Sequence, residues 1–320
     1  MPPSNSRRRL RVLTWHVHGN YLYYLTHVPH DFHLVTRPGN PPGYAGRTGQ
    51  LPWGDNVFEV PQDEVKNQQF DCVLFQSRKH YLEDRLEFLS TAQRDLPAIY
   101  LEHDPPQEHP TATRHFVQDS NTLLVHVTAF NALMWDNGTT PYTVVEHGVV
   151  VPRDVRYSGE LERGIAVVNN IKRRGRRLGA DVYAELAEKL PLDLVGMDAQ
   201  AAGGLGEIGN LELAAFCARY RFFFNPIRYT SLGLAIIEAM MIGMPVIGLA
   251  TTELVTVIEN GKSGYVDTRL EKLADVMQQL LREPKLAREW GEQARRTALE
   301  RFNIDRFVND WLKVFASVAG

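Results

Sequence analysis

The sequence predicts an α/β protein built from two parallel β-sheets, each covered by helices on both faces. Short runs rich in β-branched and aromatic residues alternate with helical patterns along the whole chain, which is the order of elements found in parallel sheets. The length of 320 residues also suits two domains of ordinary size. We therefore expect two Rossmann-like domains.

The predicted strands form two series with a polar segment between them. The first series is expected at residues 10–15, 32–36, 70–75, 98–101, 122–127 and 142–145. The second series is expected at residues 164–168, 192–195, 221–224 and 245–249. The segment from Glu146 to Arg163 is the best candidate for the linker. We accordingly expect one domain over residues 1–148 and a second over residues 149–302.

The composition is that of an ordinary globular protein, with 44% hydrophobic and 23% charged residues. The formal net charge of -3 at pH 7 argues against general affinity for nucleic acid. The two cysteines, Cys72 and Cys217, lie far apart in apolar surroundings, which favours reduced core thiols over a disulfide or a metal site. No apolar stretch has the length of a membrane span. These features predict a cytoplasmic protein.

Residues 37–54 are dense in proline and glycine, so a long surface loop is expected there, with a site beneath it as one interpretation.

The segment 301–315 has the periodicity of an amphipathic helix. Its apolar stripe consists of Phe307, Val308, Trp311, Leu312 and Phe315. We expect this helix to pack on the protein's own surface. Docking to the inner face of a membrane or to a partner protein is the alternative.

Glu238 is the one charged residue in the apolar run from Leu232 to Ile242. Burial of an unpaired carboxylate costs several kcal/mol, and the positions three and four residues away on a helix are all apolar. We therefore expect its partner to be a ligand or a group elsewhere in the fold, with a buried arginine or backbone amides as the structural alternative. The preceding loop ends at Ser231, the expected N-cap, and Gly233 permits close backbone approach, so this helix start would attract phosphate.

The stretch from Phe222 to Asp267 resembles the donor-binding half of the family 4 retaining glycosyltransferases of GT-B fold (glycosyl transferases group 1). The residues that carry the resemblance are Pro226, Gly233-Leu234, Glu238-Ala239, Gly243-Met244-Pro245-Val246-Ile247, Glu253-Leu254-Val255 and the Asn-Gly-x-x-Gly turn at 260–264. The linker at 146–149 is similar to the family's Asn-Gly-Val hinge. The second half of the chain matches well and the first half only loosely.

This resemblance implies the GT-B architecture, two Rossmann-like domains facing a central cleft, with residues 303–320 forming a helix that returns to the first domain. It implies a hexosyltransferase-type enzyme that moves a sugar from a nucleoside diphosphate sugar to an acceptor hydroxyl with retention and without a metal. The nucleoside diphosphate sugar is then the donor substrate, and no cofactor is expected.

The resemblance also implies roles for individual residues of the donor site. Glu238 would bind the ribose hydroxyls. The family carries a further glutamate eight positions earlier, beside the donor sugar, where this chain has Thr230. A hydroxyl there can hydrogen-bond a sugar but supplies no charge, so Thr230 is a candidate catalytic position with altered donor preference. The amides of Gly233 and Leu234, with Ser231 beside them, would face the diphosphate.

A basic run at residues 172–177 follows a predicted strand and precedes a helix, where cations can meet a diphosphate. Aligned on Gly175, Arg174 takes the family's lysine position, while the family's arginine position falls on Asn169. Lys172 or Arg173 is the expected substitute. Most cations of such a run are simply solvated, and binding to an anionic membrane or to nucleic acid is a weaker alternative.

The acceptor side is expected on the first domain. His103 follows a strand at the carboxyl edge of the sheet, where ligands bind in open α/β folds, and it resembles the family's histidine near the donor sugar. His18 and Gly19 occupy the place of the family's glycine loop. His16 and His18 alternate and could share a face, but no third metal ligand lies nearby in the sequence.

Three functions remain open from the sequence. The first is glycosyl transfer to an acceptor that the sequence does not identify. The second is a catalytically silent nucleotide-sugar-binding protein, which Thr230 and Asn169 motivate. The third is a GT-B epimerase acting on the nucleotide sugar itself. A dinucleotide site is excluded because no Gly-x-Gly-x-x-Gly follows the first strand.

Overall fold

The computed structural model describes residues 8–319. The chain divides into two compact units. Unit 1 comprises Met1–Glu146 and Phe307–Gly320, and unit 2 comprises His147–Arg306. The first seven residues and the last residue of the expected domains lie outside the described part of the chain. The expected boundaries, at 148 and 302, fall close to the observed ones.

Unit 1 contains, within the described residues, a seven-stranded parallel sheet. Its strands are β1 (Arg11–Thr14), β2 (Asp31–Thr36), β3 (Val57–Pro61), β4 (Cys72–Phe75), β5 (Ala98–Glu102), β6 (Thr122–His126) and β7 (Tyr142–Val144). Their order in the sheet is β3-β2-β1-β4-β5-β6-β7. The inner strands are almost wholly buried, as expected when helices cover both faces.

The helices of this unit are short. The α-helices are α1 (Gly19–Leu25), α2 (Arg85–Phe88), α3 (Thr91–Arg94) and α4 (Ala129–Met134). A π-helical turn at His80–Asp84 leads into α2, and a 3-10 turn lies at Val65–Asn67. The loop 37–54 contains no helix or strand, as expected.

Unit 2 contains a five-stranded parallel sheet within the same described residues. Its strands are β8 (Leu161–Val167), β9 (Leu192–Val195), β10 (Tyr220–Asn225), β11 (Val246–Leu249) and β12 (Gly264–Asp267), in the order β12-β11-β10-β8-β9. The α-helices are α5 (Ile171–Arg174), α6 (Ala180–Ala187), α7 (Asn210–Cys217), α8 (Leu234–Ile242), α9 (Leu254–Val257), α10 (Leu270–Arg282) and α11 (Pro284–Arg301). Two 3-10 turns lie at Gly175–Leu178 and Ala199–Ala202.

The last helix, α12 (Ile304–Ala319), packs on unit 1 through the stripe that its periodicity predicts. Its buried residues include Phe307, Trp311 and Phe315. The Trp311 indole nitrogen donates to the Tyr21 hydroxyl at 3.2 Å, and the Phe315 ring meets His30 edge to face. The expected packing on the protein's own surface is therefore observed.

The sequence prediction missed two strands, β3 and β12, and both are edge strands. In β3 the side chains of Phe58 and Glu59 are exposed, so the strand lacks the continuous apolar run of its neighbours. The turn at 260–264 leads directly into β12, which pairs with β11. Edge strands need only one partner and one buried face, which leaves a weaker sequence signal.

The described residues contain no helix that combines the length and the apolar composition of a membrane span. Both cysteines are free and buried, in agreement with the prediction of core thiols. Burial raises the pKa of each thiol to about 12.

Candidate functional site

The topology of unit 2 defines a place where a ligand is expected. From β8 the chain crosses to β9 on one side and then returns to β10, which lies on the other side of β8. The carboxyl ends of β8 and β10 therefore flank a topological switch point, the position at which open α/β sheets bind ligands. The segments that follow these two strands carry all the donor-site residues expected from the sequence.

The basic run follows β8 and forms α5 and the 3-10 turn after it. Lys172 and Arg173 are exposed, whereas Arg174 is half-buried. Asn170 precedes the helix with a φ of 54°, in the left-handed region that asparagine tolerates. The positive charge is thus concentrated within two short turns at the switch point.

The loop after β10 lies directly against this basic run. The backbone amide of Arg228 donates to the carbonyl of Arg177 at 3.0 Å, and the guanidinium of Arg228 donates to the carbonyl of Arg176 at 2.8 Å. Gly179 also touches this loop, since a Cβ at that position would lie 1.9 Å from the carbonyl oxygen of Pro226. These contacts bring the expected cations and the proline loop together, although about fifty residues separate them in sequence.

Asp181, on α6, also holds the loop after β10 against the basic run. It pairs with Arg228 through both carboxylate oxygens and also with Arg176. Hydrogen bonding from Arg228 lowers the pKa of Asp181 to about 2. Arg228 is thus held by this carboxylate, while Lys172 and Arg174 on α5 are the cations that the sequence suggested for diphosphate binding.

The helix α8 begins two residues later than expected. Its N-cap is Gly233, and Leu234 is the first helical residue, so the prediction of Ser231 as the N-cap is wrong. Ser231 and Thr230 are half-buried residues of the loop that leads to the cap. The backbone of Gly233 is extended, and an added Cβ would meet only Ile236, at 3.8 Å. The chain's own packing therefore does not require a glycine here.

Glu238 lies in the middle of α8 and is half-buried, less enclosed than the apolar run around it suggested. Its neighbours are nevertheless apolar, and a small cavity formed by Val167, Leu213, Cys217 and Ile242 borders it. The negative charge of Glu238 contributes to the raised pKa of the Cys217 thiol, after burial as the main cause. Part of the Glu238 residue is therefore exposed to solvent.

Asn169 has a structural role in place of the arginine that the resemblance implies. Its side-chain oxygen accepts a hydrogen bond from the amide of Met197 at 2.8 Å, and the amide of Asn170 donates to the carbonyl of Met197 at 2.7 Å. These two bonds join the segment after β9 to the segment after β8. The side chain of Met197 is 45% exposed beside them.

Unit 1 has a second switch point, between β1 and β4, because β2 and β3 lie on one side of β1 and the remaining strands on the other. His18 and Gly19 follow β1, and His103 follows β5 at the same edge. The rings of His18 and His103 lie 4.0 Å apart. The expected acceptor-side residues are therefore close to one another.

Gln76, which follows β4, completes this cluster and was not singled out from the sequence. Its side-chain oxygen lies 3.1 Å from Nε2 of His103, and its amide group donates to the hydroxyl of Thr14 and the carbonyl of Trp15. The signal that could have identified it is its position directly after the strand that flanks the switch point.

The side chains of His16 and His18 have different neighbours. The Nδ1 atom of His16 lies 2.5 Å from the carbonyl oxygen of Gly46, whereas the ring of His18 lies against that of His103 at a tilt of 42°. Across residues 8–319, no group of three or more His, Cys, Asp or Glu side chains has an arrangement suited to a metal ion.

The comparisons with known proteins agree with this geometry. The family model of Glycosyl transferases group 1 matches residues 205–297, the segment that contains the proline loop and α8.

Two curated proteins are similar over nearly the same length. N-acetyl-alpha-D-glucosaminyl L-malate synthase from Bacillus anthracis is 35% identical over 92 residues, which is 28% of this chain and 24% of that protein. Poly(ribitol-phosphate) alpha-N-acetylglucosaminyltransferase from Staphylococcus aureus is 31% identical over 93 residues, 28% of this chain and 19% of that protein. The matches thus span about a quarter or less of these relatives.

Solved structures match over almost the whole chain. The structure of HepE from Anabaena with UDP and glucose has a TM-score of 0.72 at 13% identity, covering 97% of this chain and 100% of that one. Sucrose-phosphate synthase from Thermosynechococcus elongatus has a TM-score of 0.67 at 14% identity, covering 97% and 99% of the two chains. The two parallel-sheet units are those of GT-B glycosyltransferase structures. The resemblance to glycosyl transferases group 1 is confirmed: this chain has the GT-B fold, and the model of that family matches its residues 205–297.

Proposed function

We propose that this protein is a glycosyltransferase that moves a sugar from a nucleoside diphosphate sugar to an acceptor hydroxyl. The proposal is carried by three features of the segments that follow β8 and β10 at the switch point of unit 2: a cationic turn, a helix that begins at Gly233 without a side-chain cap, and a half-buried carboxylate on that helix. A nucleoside diphosphate sugar presents the complementary groups, namely a diphosphate and a ribose diol.

The donor is a uridine diphosphate sugar in this proposal. The HepE structures were solved with UDP, with UDP and glucose, and with UDP-glucose, and both curated relatives are named for N-acetylglucosamine. UDP-N-acetylglucosamine and UDP-glucose are therefore the first donors to test. Glu238 binds the ribose, while Lys172, Arg174 and the amides of Gly233 and Leu234 hold the diphosphate.

The acceptor binds at the edge of unit 1 where His18, Gly19 and His103 lie together. In the reaction, the bond between the sugar C1 and the β-phosphate oxygen breaks, and the acceptor oxygen bonds to C1. The acceptor's proton passes to an oxygen of the departing diphosphate. Thr230 hydrogen-bonds the donor sugar, and the cations of unit 2 stabilise the leaving group without a metal ion.

Retention of configuration is part of the proposal. Both curated relatives carry "alpha" in their names, and an α-linked product formed from an α-linked donor requires retention. No cofactor is proposed. We also propose that the protein is cytoplasmic. Peripheral contact with the inner face of the membrane is the alternative.

The experiment is a panel of nucleotide sugars with and without acceptors, followed by measurement of released UDP and of sugar products. Transfer, or slow hydrolysis without acceptor, supports the enzyme. Tight binding without release of UDP under any condition indicates the silent binding protein. Conversion of one nucleotide sugar into another without an acceptor indicates an epimerase.

A further inference from the structure

The segment 37–54 of unit 1 carries an aromatic surface next to the acceptor-side residues. Its centre is Trp53, whose ring meets His16 edge to face at 5.5 Å and Tyr23 at 5.9 Å. All three side chains are half-buried rather than enclosed. We call Trp53, Tyr23 and His16 the aromatic wall.

The aromatic wall is adjacent to the sheet edge proposed to bind the acceptor. His16 is the second residue after β1, and its Nε2 atom would lie 2.9 Å from a Cβ placed on Gly19. The ring of His16 thus lies between Trp53 and Gly19, the first residue of α1. A molecule bound at His18 and Gly19 comes within reach of this surface.

The loop that carries Trp53 is fixed at several points in spite of its proline and glycine content. The carbonyl of Gly46 contacts His16, and the amide of Arg47 donates to Glu59 at 2.6 Å. The Tyr44 hydroxyl donates to the buried carboxylate of Asp84 at 2.6 Å. These tethers hold the aromatic wall in place before any ligand binds.

Two cations at the base of this loop, Lys79 and Arg37, are engaged with Tyr44 and Asp84. Lys79 donates to Asp84 at 2.8 Å and also to the Tyr44 hydroxyl. The guanidinium of Arg37 lies 4.3 Å from the centre of the Tyr44 ring and 4.0 Å from Asp84. The side chains of Lys79 and Arg37 therefore hold the loop in place and do not neutralise an anionic acceptor.

The exposed surface therefore consists of aromatic rings with polar groups at their edges. The indole nitrogen of Trp53 donates to the carbonyl of Thr48 within the loop at 3.1 Å, so its hydrogen-bonding capacity is satisfied and its exposed part is apolar. A pyranose ring has a matching character, since its C–H face is apolar and its rim carries hydroxyls. Half-exposed aromatic rings beside hydrogen-bonding side chains provide such a surface.

We propose that the aromatic wall is a subsite for a sugar ring of the acceptor, so that the acceptor is a neutral carbohydrate rather than a small carboxylate or a polyol phosphate. The assignment rests on the proposed glycosyl transfer, since it names the acceptor class for that reaction.

The test uses the full chain and the variants Trp53→Ala and Trp53→Phe, with Tyr142→Ala as the control. Tyr142 is an aromatic residue of unit 1 that is 55% exposed on the edge strand β7. Binding of methyl glucosides, methyl N-acetylglucosaminides and short β-linked glucose and N-acetylglucosamine oligosaccharides is measured by calorimetry, beside L-malate and glycerol phosphate. Turnover with a UDP-sugar is then measured with every compound that binds.

We expect at least one carbohydrate to bind, with affinity reduced about 10-fold or more in Trp53→Ala and by less than about 3-fold in Trp53→Phe and Tyr142→Ala. The acceptor KM should rise in parallel, while the donor KM and the affinity for UDP stay unchanged. Circular dichroism and an unchanged UDP affinity establish that Trp53→Ala is folded.

Carbohydrate binding that is insensitive to Trp53→Ala overturns the proposal, and so does the absence of binding by every carbohydrate in the panel. Turnover that uses only malate or glycerol phosphate, and that falls in Arg47→Gln but not in Trp53→Ala, overturns the subsite while the glycosyltransferase activity stands. If no UDP is released under any condition but carbohydrate binding depends on Trp53, the proposed activity fails and the subsite stands.

Discussion

Arg228 and Asp181 form a bidentate ion pair that ties the loop after β10 to helix α6, which follows the basic run. The two residues are 47 positions apart in sequence. Through this pair the proline loop and the cationic turn are held as one surface. The position of the loop should therefore depend on Asp181, even though the side chain is 38% exposed.

Replacement of Asp181 by asparagine should affect ligand binding more than stability. An ion pair with this exposure contributes at most about 1 kcal/mol to the free energy of unfolding. Release of Arg228 should lower the affinity for UDP about 5- to 10-fold, because the loop loses its fixed position. The measurement is calorimetric titration with UDP. Glu185→Gln, which removes an exposed pair with Lys189 on the same helix, is the control; equal losses in the two variants would contradict the specific role.

The Arg228–Asp181 pair also makes the stability of the folded protein depend on pH. The hydrogen bonds from Arg228 hold the folded-state pKa of Asp181 at about 2, below the ordinary value of 3.8. The stabilising contribution is therefore complete above about pH 4 and is lost as the pH falls from about 4 towards 2. UDP affinity should show no dependence on Asp181 titration near neutral pH.

Gly233 offers a test that separates ligand approach from folding. An added methyl group would make only an ordinary contact with Ile236, so Gly233→Ala should lower the thermal midpoint only by the modest cost of alanine at an N-cap, as Gly209→Ala should. The same methyl should obstruct a phosphate at the first turn of α8 and reduce UDP affinity about 10-fold or more. Gly209→Ala is the matched control, since Gly209 is the N-cap of α7 and equally uncrowded. Unchanged UDP affinity in Gly233→Ala would argue against a phosphate at this helix start.

Glu238→Gln should weaken nucleotide binding and leave the fold intact. The carboxylate can accept hydrogen bonds from both ribose hydroxyls, and loss of charge-assisted bonds of this kind costs about 1.5–3 kcal/mol, or roughly 10- to 100-fold in affinity. Deoxyribose analogues of UDP should lose less affinity in the variant than UDP does. The control is Glu212→Gln, an exposed carboxylate on α7. A variant that binds UDP as tightly as the parent protein would refute the ribose role.

Arg174 should discriminate the diphosphate from the nucleoside. Arg174→Gln is expected to reduce the affinity for UDP about 10-fold or more, with little change for uridine, because only the former carries the charge that the guanidinium meets. Titrations with both ligands provide the comparison. Arg173→Gln, which removes the exposed neighbouring cation, should change neither strongly. Parallel losses for UDP and uridine in Arg174→Gln would indicate a structural role instead.

Three buried histidines make unit 1 sensitive to acid. Burial lowers the pKa of His33, His80 and His126 to about 4, against an ordinary 6.5. For His80 the nearby Asp84 offsets part of this shift. As the pH falls below about 6.5, the unfolded chain takes up protons that the folded chain does not, so stability decreases until the pH reaches about 4.

The variant that tests this is His80→Phe, which keeps a ring against Trp15 and removes the titrating group. For the well-buried His80 this amounts to at most about 2 kcal/mol between about pH 7 and about pH 5. The thermal midpoint should therefore fall less with pH in His80→Phe than in the parent protein, while the exposed His27→Gln should match the parent. An unaltered pH profile in His80→Phe would show that His80 is not the source.

The sequence predicted the inner strands well because buried parallel strands are continuous apolar runs whose identity does not depend on their neighbours. The edge strands β3 and β12 were missed because one buried face and one partner leave a weak pattern. The start of α8 was misplaced by two residues, from Ser231 to Gly233. Either residue type can cap a helix, and only the backbone conformation decides between them.

The candidate site was predictable in its location but less so in its interactions. Strand order places the segments after β8 and β10 side by side, and those after β1 and β5 at one edge, so the location of both groups follows from the topology. Exposure of Glu238 depends on how α7 packs, and the Arg228–Asp181 pair depends on contacts across 47 residues. Neither the exposure of Glu238 nor this ion pair leaves a pattern in the local sequence. Gln76 and Trp53 were likewise recognised only once the strands and the loop 37–54 had positions.

The central claim is that the switch point of unit 2 binds a nucleoside diphosphate. A crystal structure of the protein with UDP tests this most directly. The account predicts the diphosphate against the amides of Gly233 and Leu234 and the side chain of Arg174, with the ribose hydroxyls on Glu238. UDP bound elsewhere on the protein, or a ribose that does not contact Glu238, would contradict it.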